Sequence, residues 1–161
     1  MSKNTGQTNV TLKVEDVMTR EIITVAENVT VKEAASIMDE KEISCLIALR
    51  KGRAIGIITE RDILKRIIVE DRNPKNTKVR KVMSSPLEVI DVGTDLENAL
   101  RLMVQKKIKK LPVVDKKSIL GLVSLTDIAC CQPALITLLK SFAAARDTPK
   151  SMKQVLKHYI V

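Results

Sequence analysis

A chain of 161 residues with 45% apolar content has material for one globular domain or two small ones packed together. Aromatics make up 1% of it, Phe142 and Tyr159 alone, so its core is aliphatic and it has no ring platform on which nucleic-acid bases could stack. The net charge of +9 points to anionic partners, and no apolar run approaches the ~18 residues that argue for a membrane span.

Residues 1–13 read as a polar arm without the apolar stretch of a secretory signal, so a cytoplasmic protein is expected. From Val14 onward the chain repeats. Displaced by 65 residues, Val14–Leu64 lies on Val79–Ala129 without a gap, with twelve identities in 51 pairs. They include Val17/Val82, Met18/Met83, Ala34/Ala99, Gly56/Gly121, Asp62/Asp127 and Ile63/Ile128. A period of this size marks two copies of one supersecondary unit.

Each copy opens on a strand, Ile22–Val25 and Leu87–Val92. A helix follows over Val31–Lys41 and Leu96–Lys107, with Ala34, Ile37, Met38 and Ala99, Leu102, Met103 at helical spacing. Thr30 and Asp95 stand at the N-cap positions. Two apolar strands then pair as short-looped hairpins, Leu46–Leu49 with Ala54–Ile58 and Leu111–Val114 with Ile119–Val123. A last helix starts near Thr59 and Ser124. The unit is β-α-β-β-α, and one copy is too small to cover both faces of its own sheet. The expected fold is therefore α+β: two pseudo-twofold-related repeats, 14–69 and 79–131, packed through their sheets. A polar linker over 70–78 is broken by Pro74, and residues 132–161 form a helical extension whose apolar face holds Leu135, Ile136, Leu138, Leu139 and Phe142.

Chemistry-bearing clusters are sparse. Cys45, Cys130 and Cys131 lack metal-ligand spacing and read as buried thiols, and the single histidine, His158, lies far from them. No activated nucleophile or Gly-rich phosphate loop is present, so no enzyme is expected. Basic residues concentrate in 106–117, with six lysines against Asp115, and in 61–81, with eight basic residues against three acidic. A solvated surface accounts for these runs; the alternative is a basic nucleic-acid-binding protein, possibly regulated by nucleotide, whose binding falls steeply with salt.

The third strand of each copy ends in Gly, two apolar residues, Thr or Ser, two variable residues and Asp: Gly56-Ile57-Ile58-Thr59-Glu60-Arg61-Asp62 and Gly121-Leu122-Val123-Ser124-Leu125-Thr126-Asp127. A hydroxyl followed three positions later by an acid is a capping box. The same geometry suits a sugar phosphate, because a helix N-terminus offers N–H groups to an anion and an acid in the first turn can accept from both ribose hydroxyls.

With Val17-Met18-Thr19, Val82-Met83-Ser84 and Leu111-Pro112-Val113-Val114-Asp115, these segments resemble a tandem pair of cystathionine β-synthase (CBS) domains, a Bateman module, over residues 14 to about 131. The resemblance implies a stand-alone regulatory sensor, commonly a homodimer. It would bind AMP, ADP, ATP or an S-adenosylmethionine-type ligand in clefts between repeats and act on a separate protein partner. In one cleft Asp127 would hold the ribose, Ser124 and Thr126 would lie near sugar and phosphate, and Lys109 and Lys110 would meet phosphate. Thr19, Ile22 and Ile23 would close around the base, and Ser44 and Cys45 would bond its edge through their backbones. The other cleft would use Asp62, Thr59 and Arg61 with Ser84 and Leu87. Ser44-Cys45 stand where the second repeat has its lysine pair, so unequal occupancy is expected, with the Asp127 cleft first.

Overall fold

Helix α1 (Val14–Val17) opens the structure, a computed structural model that describes residues 11–116, 118–131 and 137. The arm before Thr11, Lys117 and the C-terminal extension apart from Thr137 lie outside the described residues. The elements that follow are β1 (Thr24–Ala26), α2 (Val31–Glu40), β2 (Cys45–Arg50), β3 (Arg53–Thr59) and α3 (Glu60–Ile63). A π-helical turn (Leu64–Ile68) extends α3, and a 3-10 turn lies at Val79–Lys81. The second half has β4 (Ile90–Asp91), α4 (Leu96–Lys106), β5 (Lys110–Asp115), β6 (Ser118–Ser124) and α5 (Leu125–Cys131).

Two three-stranded sheets result, ordered β1-β2-β3 and β4-β5-β6. In each, the first strand runs parallel to the second, and the second and third form an antiparallel hairpin. The β2–β3 turn is Lys51-Gly52, both at positive φ (50° and 76°), the backbone that a two-residue hairpin needs to match strand twist. Both hairpins carry a register shift at equivalent places, Ala48/Leu49 and Val113/Val114.

Helix α2 begins at a full capping box. Thr30 Oγ1 accepts from the Glu33 amide at 3.2 Å, and the Glu33 carboxylate accepts from the Thr30 amide at 2.6 Å. The next two amides, Val31 and Lys32, donate to the carbonyls of Thr77 and Pro74, so the polar 70–78 stretch is tied to this helix start. Asp95 occupies the N-cap position of α4 but its side chain makes no cap bond.

The compact units are offset from the sequence repeat. One is Glu21–Glu88; the other joins the chain up to Arg20 to the chain from Val89 onward. Each has its own aliphatic core. In the first, Val79 and Val82 pack with Val31, Ala34, Met38, Leu46, Ala48, Ile58 and Ile67. In the second, Val14 and Met18 pack with Ile90, Leu96, Leu100, Met103, Leu111, Val123 and Ile128. The opening residues of each repeat thus complete the core built by the other repeat's sheet. This explains why β1 and β4 start later than expected: residues 20–23 and 85–89 carry the chain out of one unit into the other.

Candidate functional site

Two equivalent turns, one per unit, carry the hydroxyl–acid pair. Register sets each one up. Thr59 ends β3 opposite Cys45, and Ser124 ends β6 opposite Lys110. The following helix is anchored at the same place in both, with the Glu60 amide donating to the Ser44 carbonyl at 3.2 Å and the Leu125 amide to the Lys109 carbonyl at 2.8 Å.

Both acids close capping boxes. Asp62 Oδ2 accepts from the Thr59 amide at 3.0 Å and from Thr59 Oγ1 at 2.7 Å, while Thr59 Oγ1 accepts from the Asp62 amide at 3.2 Å. Asp127 Oδ2 accepts from the Ser124 amide at 2.8 Å, and Ser124 Oγ accepts from the Asp127 amide at 3.1 Å. In both boxes the cap uses a single carboxylate oxygen, Oδ2.

The two glycines explain how the opening segments reach these turns. Ser84 exchanges backbone bonds with Ile57 at 2.8 and 3.0 Å, and Thr19 does so with Leu122 at 2.9 and 2.8 Å. A Cβ on Gly56 would lie 2.7 Å from the Ser84 carbonyl oxygen and 2.9 Å from Met83 Sδ. On Gly121 it would lie 2.7 Å from both the Thr19 carbonyl oxygen and Met18 Sδ. The glycine is required by the close approach of a Val-Met-Thr/Ser segment, so two motifs that look independent in sequence are two sides of one contact.

In the Glu21–Glu88 unit, Asp62, Thr59 and Ser84 come together, with Ser84 Oγ donating to Asp62 Oδ1 at 3.2 Å. Arg61 is exposed and Leu87 is half-buried, and among the described residues neither makes a hydrogen bond or ion pair with the acid. Ile22 and Ile23 are half-buried, Ser44 is half-buried, and Cys45 is buried at the start of β2. In the other unit, Ser124, Asp127 and Lys110 share one end of the β5–β6 hairpin, with Lys109 and Thr126 exposed beside them. Thr19 is exposed, two residues along the ladder from Ser124.

Sequence reasoning missed Arg66. Its Nη1 lies 3.3 Å from Asp62 Oδ1 and also donates to the Val82 carbonyl. The i,i+4 spacing of Asp62 and Arg66 is the signal that could have found it. It missed Glu27 as well, which is 8% exposed and held by Arg50 in a bidentate pair at 2.7 and 2.8 Å. Those donors hold the Glu27 carboxyl below its ordinary range against the opposing effect of burial. One expectation is corrected. Cys45 is buried, but Cys130 and Cys131 are exposed, lying at the last positions of α5 beyond its inward residues Leu125 and Ile128.

Comparison with known proteins agrees with this geometry. The CBS domain family profile matches residues 14–69 and 79–131. The CBS domain-containing protein YhcV of Bacillus subtilis is 37% identical over 119 residues, covering 74% of this chain and 84% of that protein. Inosine-5'-monophosphate dehydrogenase of Methanocaldococcus jannaschii is 33% identical over 118 residues, but the match covers 72% of this chain and 23% of that enzyme. Among solved structures, a conserved CBS domain protein from Thermoplasma acidophilum superposes with a TM-score of 0.75 at 28% identity, covering 86% of this chain and 79% of that one. A conserved protein from Pyrococcus horikoshii gives 0.71 at 26% identity, covering 75% and 92%. Proteins with such pairs are generally regulatory and bind adenosyl ligands. With two matched repeats, two equivalent sheets and the same acid–hydroxyl turn in each, the chain belongs to the CBS domain family as a tandem pair.

Proposed function

We propose that this chain is a regulatory module that binds an adenosyl ligand, AMP, ADP, ATP or an S-adenosylmethionine-type molecule, and signals its occupancy to a protein partner. The observation that carries the reading is the half-buried Asp127, whose carboxylate accepts from the Ser124 amide and, among the described residues, from no other donor. In this reading Asp127 accepts from the ribose hydroxyls, Ser124 lies beside the sugar, and Lys109, Lys110 and Thr126 face phosphate. Asp62, Thr59, Arg61, Ser84 and Leu87 stand at the corresponding positions of the other unit. An acid that caps a helix and still has lone pairs to spare suits a diol, since each ribose hydroxyl can donate to it at no cost to the fold.

Thermal melts with AMP, ADP, ATP and S-adenosylmethionine test it. A ligand that binds the native state at one hundred times its Kd adds about 2.7 kcal/mol of stability, so melting should rise with concentration for at least one of the four. Asp127→Asn keeps an oxygen for the Ser124 amide but presents a neutral amide to the ribose, so it should lower affinity about tenfold or more while leaving the unliganded melt near the parent value. Flat melts with all four ligands would overturn the reading.

Self-association belongs to the same proposal. Its support is an apolar cluster at the end of the first repeat, where Leu64, Ile68 and Val69 are 56%, 66% and 75% exposed.

A further inference from the structure

The two acids differ in how much accepting capacity the protein leaves them. An ionised carboxylate offers about four lone-pair directions. Asp62 has three hydrogen-bond donors and a cation around it: the Thr59 amide and Thr59 Oγ1 on Oδ2, Ser84 Oγ on Oδ1, and Arg66 Nη1 in ion-pair contact with Oδ1 at 3.3 Å. Its side chain is 14% exposed. The same Nη1 donates to the Val82 carbonyl, in the segment that places Ser84 beside Ile57. Arg66 keeps 38% of its side chain exposed, and its Nη1 is positioned by both the carboxylate and a backbone carbonyl.

The second repeat lacks this arrangement. The residue 65 positions after Arg66 is Cys131, which supplies no cation, and the one aligned with Ser84 is Thr19. Among the described residues Asp127 has the Ser124 amide as its hydrogen-bond donor, and its other oxygen is not committed.

We propose that Arg66 and Ser84 are a built-in occupant of Asp62, supplying a positive charge and a hydroxyl where a ribose diol would bring its two hydroxyls, so that the chain takes an adenosyl ligand at Asp127 and refuses one at Asp62. The inference rests on the reading of these aspartates as ribose acceptors. Arg66 acts as a selectivity residue through Asp62. To enter, a ribose must break a charge-assisted contact and a hydroxyl bond that already satisfy the carboxylate, and it offers only neutral hydroxyls in return. The exchange is unfavourable because the carboxylate gives up its cation and receives only neutral donors. At Asp127 the same ribose fills vacant directions.

Isothermal titration of the full chain with AMP, and separately with ATP, tests this. The parent protein should bind one equivalent per chain, and Asp127→Asn should weaken that binding at least tenfold. Adding Arg66→Gln and Ser84→Ala to Asp127→Asn should restore one equivalent, and adding Asp62→Asn to that protein should remove it again. Arg66→Gln alone on Asp127→Asn, a milder change should the double release unfold the unit, should restore binding in part. A gain of binding on deleting polar groups is something a purely structural role for Arg66 would not produce. If the parent binds one equivalent and neither release variant recovers any, the occupant is wrong and the ribose reading stands. Two equal equivalents on the parent likewise overturn the occupant. No binding by any of these proteins overturns both.

Discussion

Gly121 and Gly56 are positions where this fold has no room for a side chain. A methyl group on either would sit 2.7 Å from a backbone carbonyl oxygen, and backbone cannot step aside as a flexible side chain can. Gly121→Ala should therefore destabilise the protein by about 1–3 kcal/mol, the cost of overpacking, measured as a lower denaturant midpoint at unchanged slope. Glu27 is a second sensitive point. Arg50 lowers its folded pKa below the ordinary value of 4.5, so the stabilisation is complete above that value and is lost as pH falls through the folded pKa. Glu33, lowered by the Thr30 amide, acts in the same direction. Melting temperature should thus fall on acidification below about pH 4.5, and Glu27→Gln should remove part of that slope. At this scale the sequence displayed the residue types but not their pairings. Asp62 and Asp127 stand out because they recur, whereas Arg66 and the Glu27–Arg50 pair occur once. Glu27 and Arg50 align with Val92 and Asp115, and a feature present in one copy leaves no mark in a repeat.

Among the elements, helices and hairpins were the most legible. Helical spacing placed α2 and α4 to within a residue at the C-terminal end, since Ala34, Met38, Ala99 and Met103 do face the cores. The hairpins followed from apolar runs separated by Lys51-Gly52 and by 115–117. The first strands were less legible, because an edge strand of two or three residues carries too few side chains to show an alternation. Helix α1 and the Val79–Lys81 turn carried no periodic signal, yet Val14 and Val79 are fully buried. The terminal helix of the first repeat diverges from its partner. It passes into a π turn over Leu64–Ile68 and turns Leu64 and Ile68 outward, one helical step apart, whereas the aligned positions in the second repeat are Ala129 and Pro133. If this face mediates self-association, Ile68→Lys should sediment as a smaller species than the parent at equal concentration, with an unchanged melt at dilution. Identical sedimentation would move the contact elsewhere.

For the whole molecule, the repeat disclosed that there are two units but not which residues each one owns. An internal alignment compares positions along the chain, whereas ownership depends on which core a side chain enters. Val14 and Val79 align perfectly and enter opposite cores. The surroundings of each acid's turn are consequently not built by one repeat alone. In the Glu21–Glu88 unit, the hydroxyl of Ser84 that reaches Asp62 comes from the opening of the second repeat.

That exchange of opening segments constrains how such a chain can be cut or recombined. A breakpoint in the 70–78 stretch, the place that homology would choose, strands Val79 and Val82 away from the core they fill and leaves Val14 and Met18 attached to the wrong half. A graft that respects the architecture takes 21–88 as its cassette and leaves the flanking stretches together. The repeat follows a 65-residue period, but an exchange that keeps each core whole has to follow the seams at 20/21 and 88/89.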